Sequence, residues 1–252
     1  MEVHHHAHTD RKKWTHYFWE FLMLFLAVFC GFLAEYQLEH KIERDREKQY
    51  IISMIKELEA DTAQLKNVLN DSVRVHGIDS LVRYINTHDL TNLDTRLLYY
   101  YKRKYLSSVR TMNFSKNTLS QLKNAGNMRL IRKKNVVDSL NKLDNNISEI
   151  EEQKDLVYYH YQFHVLHGTE IFNEWYYYPD STRKRDFTNE QQFLNQPVAP
   201  PLITKEYQQL LKYASLASNW RGLVRNYHRM LTTNYKFSSE LIAFIKKEYR
   251  IK

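Results

Sequence analysis

The chain has 252 residues and a formal net charge of +8, with its acids interleaved among its bases. It is long enough for one or two domains with a sizeable core. The spread of charge favours weak attraction to anionic lipid over a nucleic-acid stripe. A single cysteine, Cys30, rules out disulfides within one chain and Cys-based zinc sites.

Taken in order, residues 1–13 form a His-rich basic tail, with His4, His5, His6 and His8 followed by Arg11, Lys12 and Lys13. Imidazoles at this density are candidate ligands for zinc, copper or nickel, and the alternative is a solvated, pH-sensitive tail. Their place after Met-Glu-Val and the interruption by Ala7 favour native sequence over an expression tag.

Residues 14–38 read as a transmembrane helix. Phe21 to Ala34 carries no charge, and Trp14, Tyr17, Phe18, Trp19 and Tyr36 supply aromatic belts that extend this short stretch to a full span. A cleaved signal peptide fits less well, because Phe29 or Phe32 would stand where a small residue is wanted. Glu20, Leu24, Ala27, Gly31 and Ala34 recur at spacings of three and four, forming a narrow face with small residues at its centre. Small residues let helix backbones approach closely in lipid, so this face is the expected contact with another copy or a partner subunit. Glu20 and Glu35, near the two ends of the span, read as carboxylates that reach interfacial water.

Residues 39–50 are almost wholly charged and extend the helix as a stalk, and residues 51–252 are expected to form a helical bundle domain. Ile51, Met54, Ile55, Leu58, Leu65, Val68 and Leu69 give a stripe running to about Val75, with Gly77 as the stop. Short helices follow over Asp79 to Thr87, over Asn92 to Tyr105 after Thr91, and over Lys116 to Ala125 between Ser115 and Gly126.

Asn135 is placed to cap a long helix whose seam is Val136, Leu140, Leu143, Ile147, Ile150, Val157 and Tyr161, interrupted by Lys154 and ending near the aromatics 175–178. Residues 180–203, with most of the prolines, read as a crossover. Thr204 then caps a last helix burying Leu210, Tyr213, Ala217, Trp220, Val224, Tyr227, Leu231, Asn234, Leu241 and Ile245. The fold class is therefore all-α, an N-terminal transmembrane helix continuing into an antiparallel helical bundle.

His160, His164 and His167 share one helix face, with Glu170 following, and form the second candidate metal site. Helical zinc proteases place a general-base Glu beside the first His, where this chain has Tyr161. No nucleophile elbow, phosphate loop or Cys-His pair outside the membrane segment occurs, so nothing argues for an enzyme or for a cofactor other than a metal ion.

The opening Glu-Val-His-His-His-Ala-His, the stretch from Tyr17 to Glu35, Arg46 to Tyr50 and the later Leu122 to Ile131 together resemble an uncharacterised bacterial family of single-pass membrane proteins. The resemblance covers the first fifty residues well and the rest patchily, and it implies location and topology. It carries no catalytic residues.

The expected function is that of a membrane-anchored scaffold or accessory subunit of an envelope complex. Its partners would be the lipid bilayer and either its own copies or a membrane-complex protein, with no nucleic acid. The inner membrane is the expected location, with the bundle in the periplasm. The alternatives are a single-pass sensor and a metal-binding membrane protein.

Overall fold

A computed structural model describes residues 14–70, 73–177 and 190–251. The histidines of the N-terminal tail, His4, His5, His6 and His8, lie outside the described residues. So do Tyr178 and residues 180–189 of the expected crossover.

The described chain is all-α. Its helices are α1 (Trp14–Leu69), α2 (Val73–Thr87), α3 (Thr95–Tyr101), α4 (Asn117–Asn124), α5 (Lys134–Thr169), α6 (Glu190–Leu194) and α7 (Tyr207–Tyr249). Among the described residues there is no strand, only an isolated antiparallel bridge between Phe172 and Leu202. The chain divides into two compact units, Met1–Ile51 and Ile52–Lys252.

In the second unit, α5 and α7 pack antiparallel. His167 Nε2 meets the Gln209 carbonyl at 3.2 Å, the Trp220 indole donates to the Val157 carbonyl at 3.1 Å, and Gln153 donates to the Leu223 carbonyl at 3.1 Å. Lys133 closes the far end on Glu248. Every position expected on the buried face of α7 is buried, because apolar residues three and four apart form one stripe of the helix. On α5 the position where Lys154 interrupts the seam is filled by Gln153, which is buried and bonded, while Lys154 reaches Asn113. Helix α2 also runs antiparallel to α7, joined by the ion pair between Asp79 and Arg221 and by the Tyr207 hydroxyl donating to the Ile85 carbonyl at 2.7 Å.

Several boundaries differ from the sequence reading. The first stripe ends at Leu69, and Gly77 lies inside α2. That glycine answers a packing need, since a Cβ there would stand 2.2 Å from the Tyr105 ring. Arg74 holds the same segment by donating to the carbonyls of Tyr105 and Ser108 at 3.2 and 2.6 Å.

The cap of α3 is Asp94, which accepts from the Arg96 amide at 3.0 Å, and Asp89 gathers Thr91 and Asn92 into a turn before it. Helix α3 then gives way to one π turn, Lys102–Leu106. Helix α4 has no capping side chain of its own. Glu57 accepts from the Thr118 amide and hydroxyl, and Asp61 accepts from the Ser115 amide, so carboxylates from α1 satisfy amides that the helix start leaves unpaired.

Gly126 sits at φ 65°, the left-handed conformation that ends a helix without steric cost. Helix α5 stops at Thr169, before the aromatic run. The chain then turns so that the Phe172 ring packs into the core and the Ile203 amide donates to the Ile171 carbonyl at 2.8 Å. Helix α7 starts at Tyr207, and Thr204 accepts from the Glu206 amide one turn earlier at 3.0 Å.

Candidate functional site

From Trp14 to Leu38 the helix carries its large apolar side chains in the open. Leu24 is 68% exposed, Phe32 69% and Met23 67%. Its most apolar eighteen-residue window has a mean hydropathy of 2.0 and is unburied. Among the described residues this one helix is long and apolar enough to cross a membrane. Fully burying one such side chain is worth roughly 1.5–3 kcal/mol, so the segment as a whole strongly prefers an apolar medium to water. A helix meets lipid at no backbone cost, because its amides and carbonyls bond internally.

Glu20, Leu24, Ala27, Gly31 and Ala34 are all exposed, and a Cβ placed at Gly31 would meet nothing within 4 Å. Glu20 pairs with His16 at 3.3 Å, one turn before it. At the segment's end, His40 contacts Glu43 at 3.3 Å.

The histidines of α5 go separate ways. His164 is buried in an aromatic cage, its ring centroid 4.6 Å from Trp220 and 4.9 Å from Tyr161. Burial and the neighbouring Lys102 charge bring its pKa down to about 4, so the ring is neutral at pH 7. His167 is held by Glu170 at 2.8 Å and by the Gln209 carbonyl, and His160 meets the Tyr159 ring edge to face at 5.5 Å and the Phe163 ring at a tilt. Among the described residues no group of three His, Cys, Asp or Glu is placed to hold a metal ion. Sharing a helix face does not make side chains converge, and here each of the three rings is committed to different neighbours.

Beside His164 lies a polar cluster that sequence spacing does not reveal. Lys102, from the π turn after α3, pairs with Glu174 and sits 5.2 Å over the Phe172 ring. Burial pulls its pKa below the usual lysine range, against the opposing pull of Glu174. Gly168 leaves room for the Lys102 Cε and the Tyr213 ring, each 3.3 Å from where a Cβ would stand. The Tyr213 hydroxyl is buried without a bonding partner, and burial pushes its pKa up. Tyr99 spans the region, donating to the Pro201 carbonyl at 2.9 Å and accepting from the Asn173 amide at 2.8 Å, with its pKa pushed up to about 12 by burial. These bonds fasten α3 to the chain leaving α5.

A cleft of about 440 Å³ opens between α5 and α7, lined in part by Glu149, Glu152, Leu156, Arg229 and Asn234. A relay crosses it: Asn226 donates to the Gln153 side chain at 2.9 Å and accepts from Arg229 at 2.8 Å. Asn234 is fully buried, and neither its amide nitrogen nor its oxygen has a partner among the described residues. Sequence periodicity placed Asn234 on this face, but periodicity says nothing of bonding. Compared with known proteins, the chain matches no family model, no curated protein and no solved structure.

Proposed function

We propose that the chain is a non-enzymatic, membrane-anchored helical scaffold or accessory subunit of a bacterial envelope complex. Residues 14–38 anchor it in the inner membrane, and it self-associates through Glu20, Leu24, Ala27, Gly31 and Ala34. The observation that carries this reading is the unburied apolar helix, whose side chains find no cover among the described residues. The open backbone at Gly31 supports close helix approach in lipid. The basic flanks, Arg11 to Lys13 before the span and Lys41 to Lys48 after it, are compatible with a cytoplasmic N-terminus and a periplasmic bundle.

The test has two parts. The full chain, mixed with phosphatidylcholine vesicles, should float with them and resist alkaline carbonate. Energy transfer between labelled copies should then fall several-fold in Gly31→Ile. A chain left in the supernatant would overturn the anchoring, and an oligomer size unchanged by Gly31→Ile in both detergent and lipid would overturn the contact.

The cleft between α5 and α7 favours a second reading, a single-pass sensor whose bundle binds a small ligand. Its volume lies within the range of ligand pockets, and Asn234 beside it has unspent hydrogen-bonding capacity.

A further inference from the structure

The cleft between α5 and α7 holds a buried amide that packing alone does not explain. Asn234 lines it, is fully buried, and has neither Nδ2 nor Oδ1 bonded among the described residues. Buried amides are ordinarily paired, because leaving a donor and an acceptor unmet costs the full desolvation of both. The neighbouring amides are already committed. Gln153 donates to the Leu223 carbonyl at 3.1 Å and accepts from Asn226 at 2.9 Å, and Asn226 accepts from Arg229 Nη2 at 2.8 Å. That relay holds one corner of the guanidinium beside the cleft and leaves its other donors to face a ligand.

The lining also carries charge of both signs. Glu149 and Glu152 come from α5 and Arg229 from α7, all three exposed, and among the described residues neither glutamate is in an ion pair. The charged groups therefore stand at the mouth and the Asn234 amide at the floor, with Ile150, Leu156 and Met230 supplying apolar wall.

We propose that this cleft binds a free α-amino acid with an aliphatic side chain. Its carboxylate accepts from Asn234 Nδ2 and Arg229, its ammonium group donates to Asn234 Oδ1 and the two glutamates, and its side chain lies against Ile150, Leu156 and Met230. The inference rests on the sensor reading given above and names the ligand class for it.

Elimination leads to this class. A simple anion brings an acceptor for Asn234 Nδ2 but meets two glutamates of like charge. A simple amine suits the glutamates and Oδ1 but leaves Nδ2 and Arg229 without an acceptor. An amide presents its donor and acceptor side by side, so its complement must do the same, and an α-amino acid carries both groups on one carbon. The volume, about 440 Å³, is toward the small end for ligand pockets and suits a molecule of that size.

The experiment titrates the full chain, in phosphatidylcholine bilayer discs, with probes that share one carbon skeleton: L-leucine, 4-methylpentanoate, which lacks the ammonium group, and 3-methylbutylamine, which lacks the carboxylate. Calorimetry should show leucine binding several-fold more tightly than either analogue. Asn234→Leu should abolish leucine binding without lowering the melting temperature, which separates a lost contact from a lost fold. Glu149→Gln with Glu152→Gln should weaken leucine several-fold while 4-methylpentanoate, no longer repelled, binds no worse. An analogue that matches leucine, or leucine binding unmoved by Asn234→Leu, overturns the assignment. Melting shifts with sugars, nucleobases and dicarboxylates at millimolar concentration separate the two failures. A shift that Asn234→Leu removes, with no leucine binding, sinks the amino acid and keeps the sensor; no shift with any probe, leucine included, sinks both.

Discussion

At His164 an imidazole occupies a place where an apolar side chain would fit, walled by Trp220, Tyr161 and Tyr213, with its Nε2 unbonded. Unfolded, the ring takes a proton near pH 6.5, whereas folded it does so only near pH 4. Between those values the unfolded chain binds the proton more readily. The contribution of the neutral ring is therefore complete above about pH 7 and lost as pH falls toward 4, a difference of about 3 kcal/mol. Urea midpoints measured at pH 7 and pH 4.5 should fall less in His164→Phe than in the parent, and equal falls would mean that the ring reaches water. Asp61, whose carboxyl burial raises, acts in the opposite sense but is common to both proteins. Gly77 is a second residue fixed by its surroundings. Gly77→Ala should destabilise the protein by roughly 1–3 kcal/mol, because the Tyr105 ring must move to admit a methyl group. Thermal unfolding reads this directly, and a melting temperature that did not drop would place the ring elsewhere.

Among the elements, the buried stripe of α7 was legible though its start was not, since a three-four stripe of Leu, Tyr, Trp and Val has one way to be buried. What it hides is the cost of Asn234, a buried amide whose donor and acceptor both go unmet. Replacing it with leucine, similar in size, should raise stability by about 1–3 kcal/mol in denaturant melts. A loss of stability would reveal a bound water or ligand satisfying the amide. Element ends were harder to read. Nothing in the stripe of α1 marks its stop at Leu69. Nor does periodicity distinguish a glycine that ends a helix, as Gly126 does, from one that makes room inside it, as Gly77 does. The caps of α4 are carboxylates more than fifty residues away in sequence, so no local signal could announce them.

For the whole molecule, the apolar segment and the all-α class followed from composition and hydropathy alone, because both depend on runs of residues rather than on what meets what. The polar cluster around Lys102 did not, since its members come from the π turn, α5, α7 and the chain between them. The histidine triplet shows the converse: correct spacing on one helix, but side chains committed to different neighbours.

The antiparallel pairing of α5 with α7 also has a consequence in time. Lys133 finds Glu248 only after 115 further residues have been made, and α2 likewise waits for Arg221 and Tyr207. The apolar helix, by contrast, precedes all of these partners in the chain. At synthesis rates of 5–20 residues per second, roughly 10–40 s separate its emergence from completion of α7. The order of birth is thus set by the order of the chain: the hydrophobic segment is available to the insertion machinery while α5 is still without its partner. Its capture there would keep the stickiest part of the protein out of water during the interval when the rest cannot yet fold.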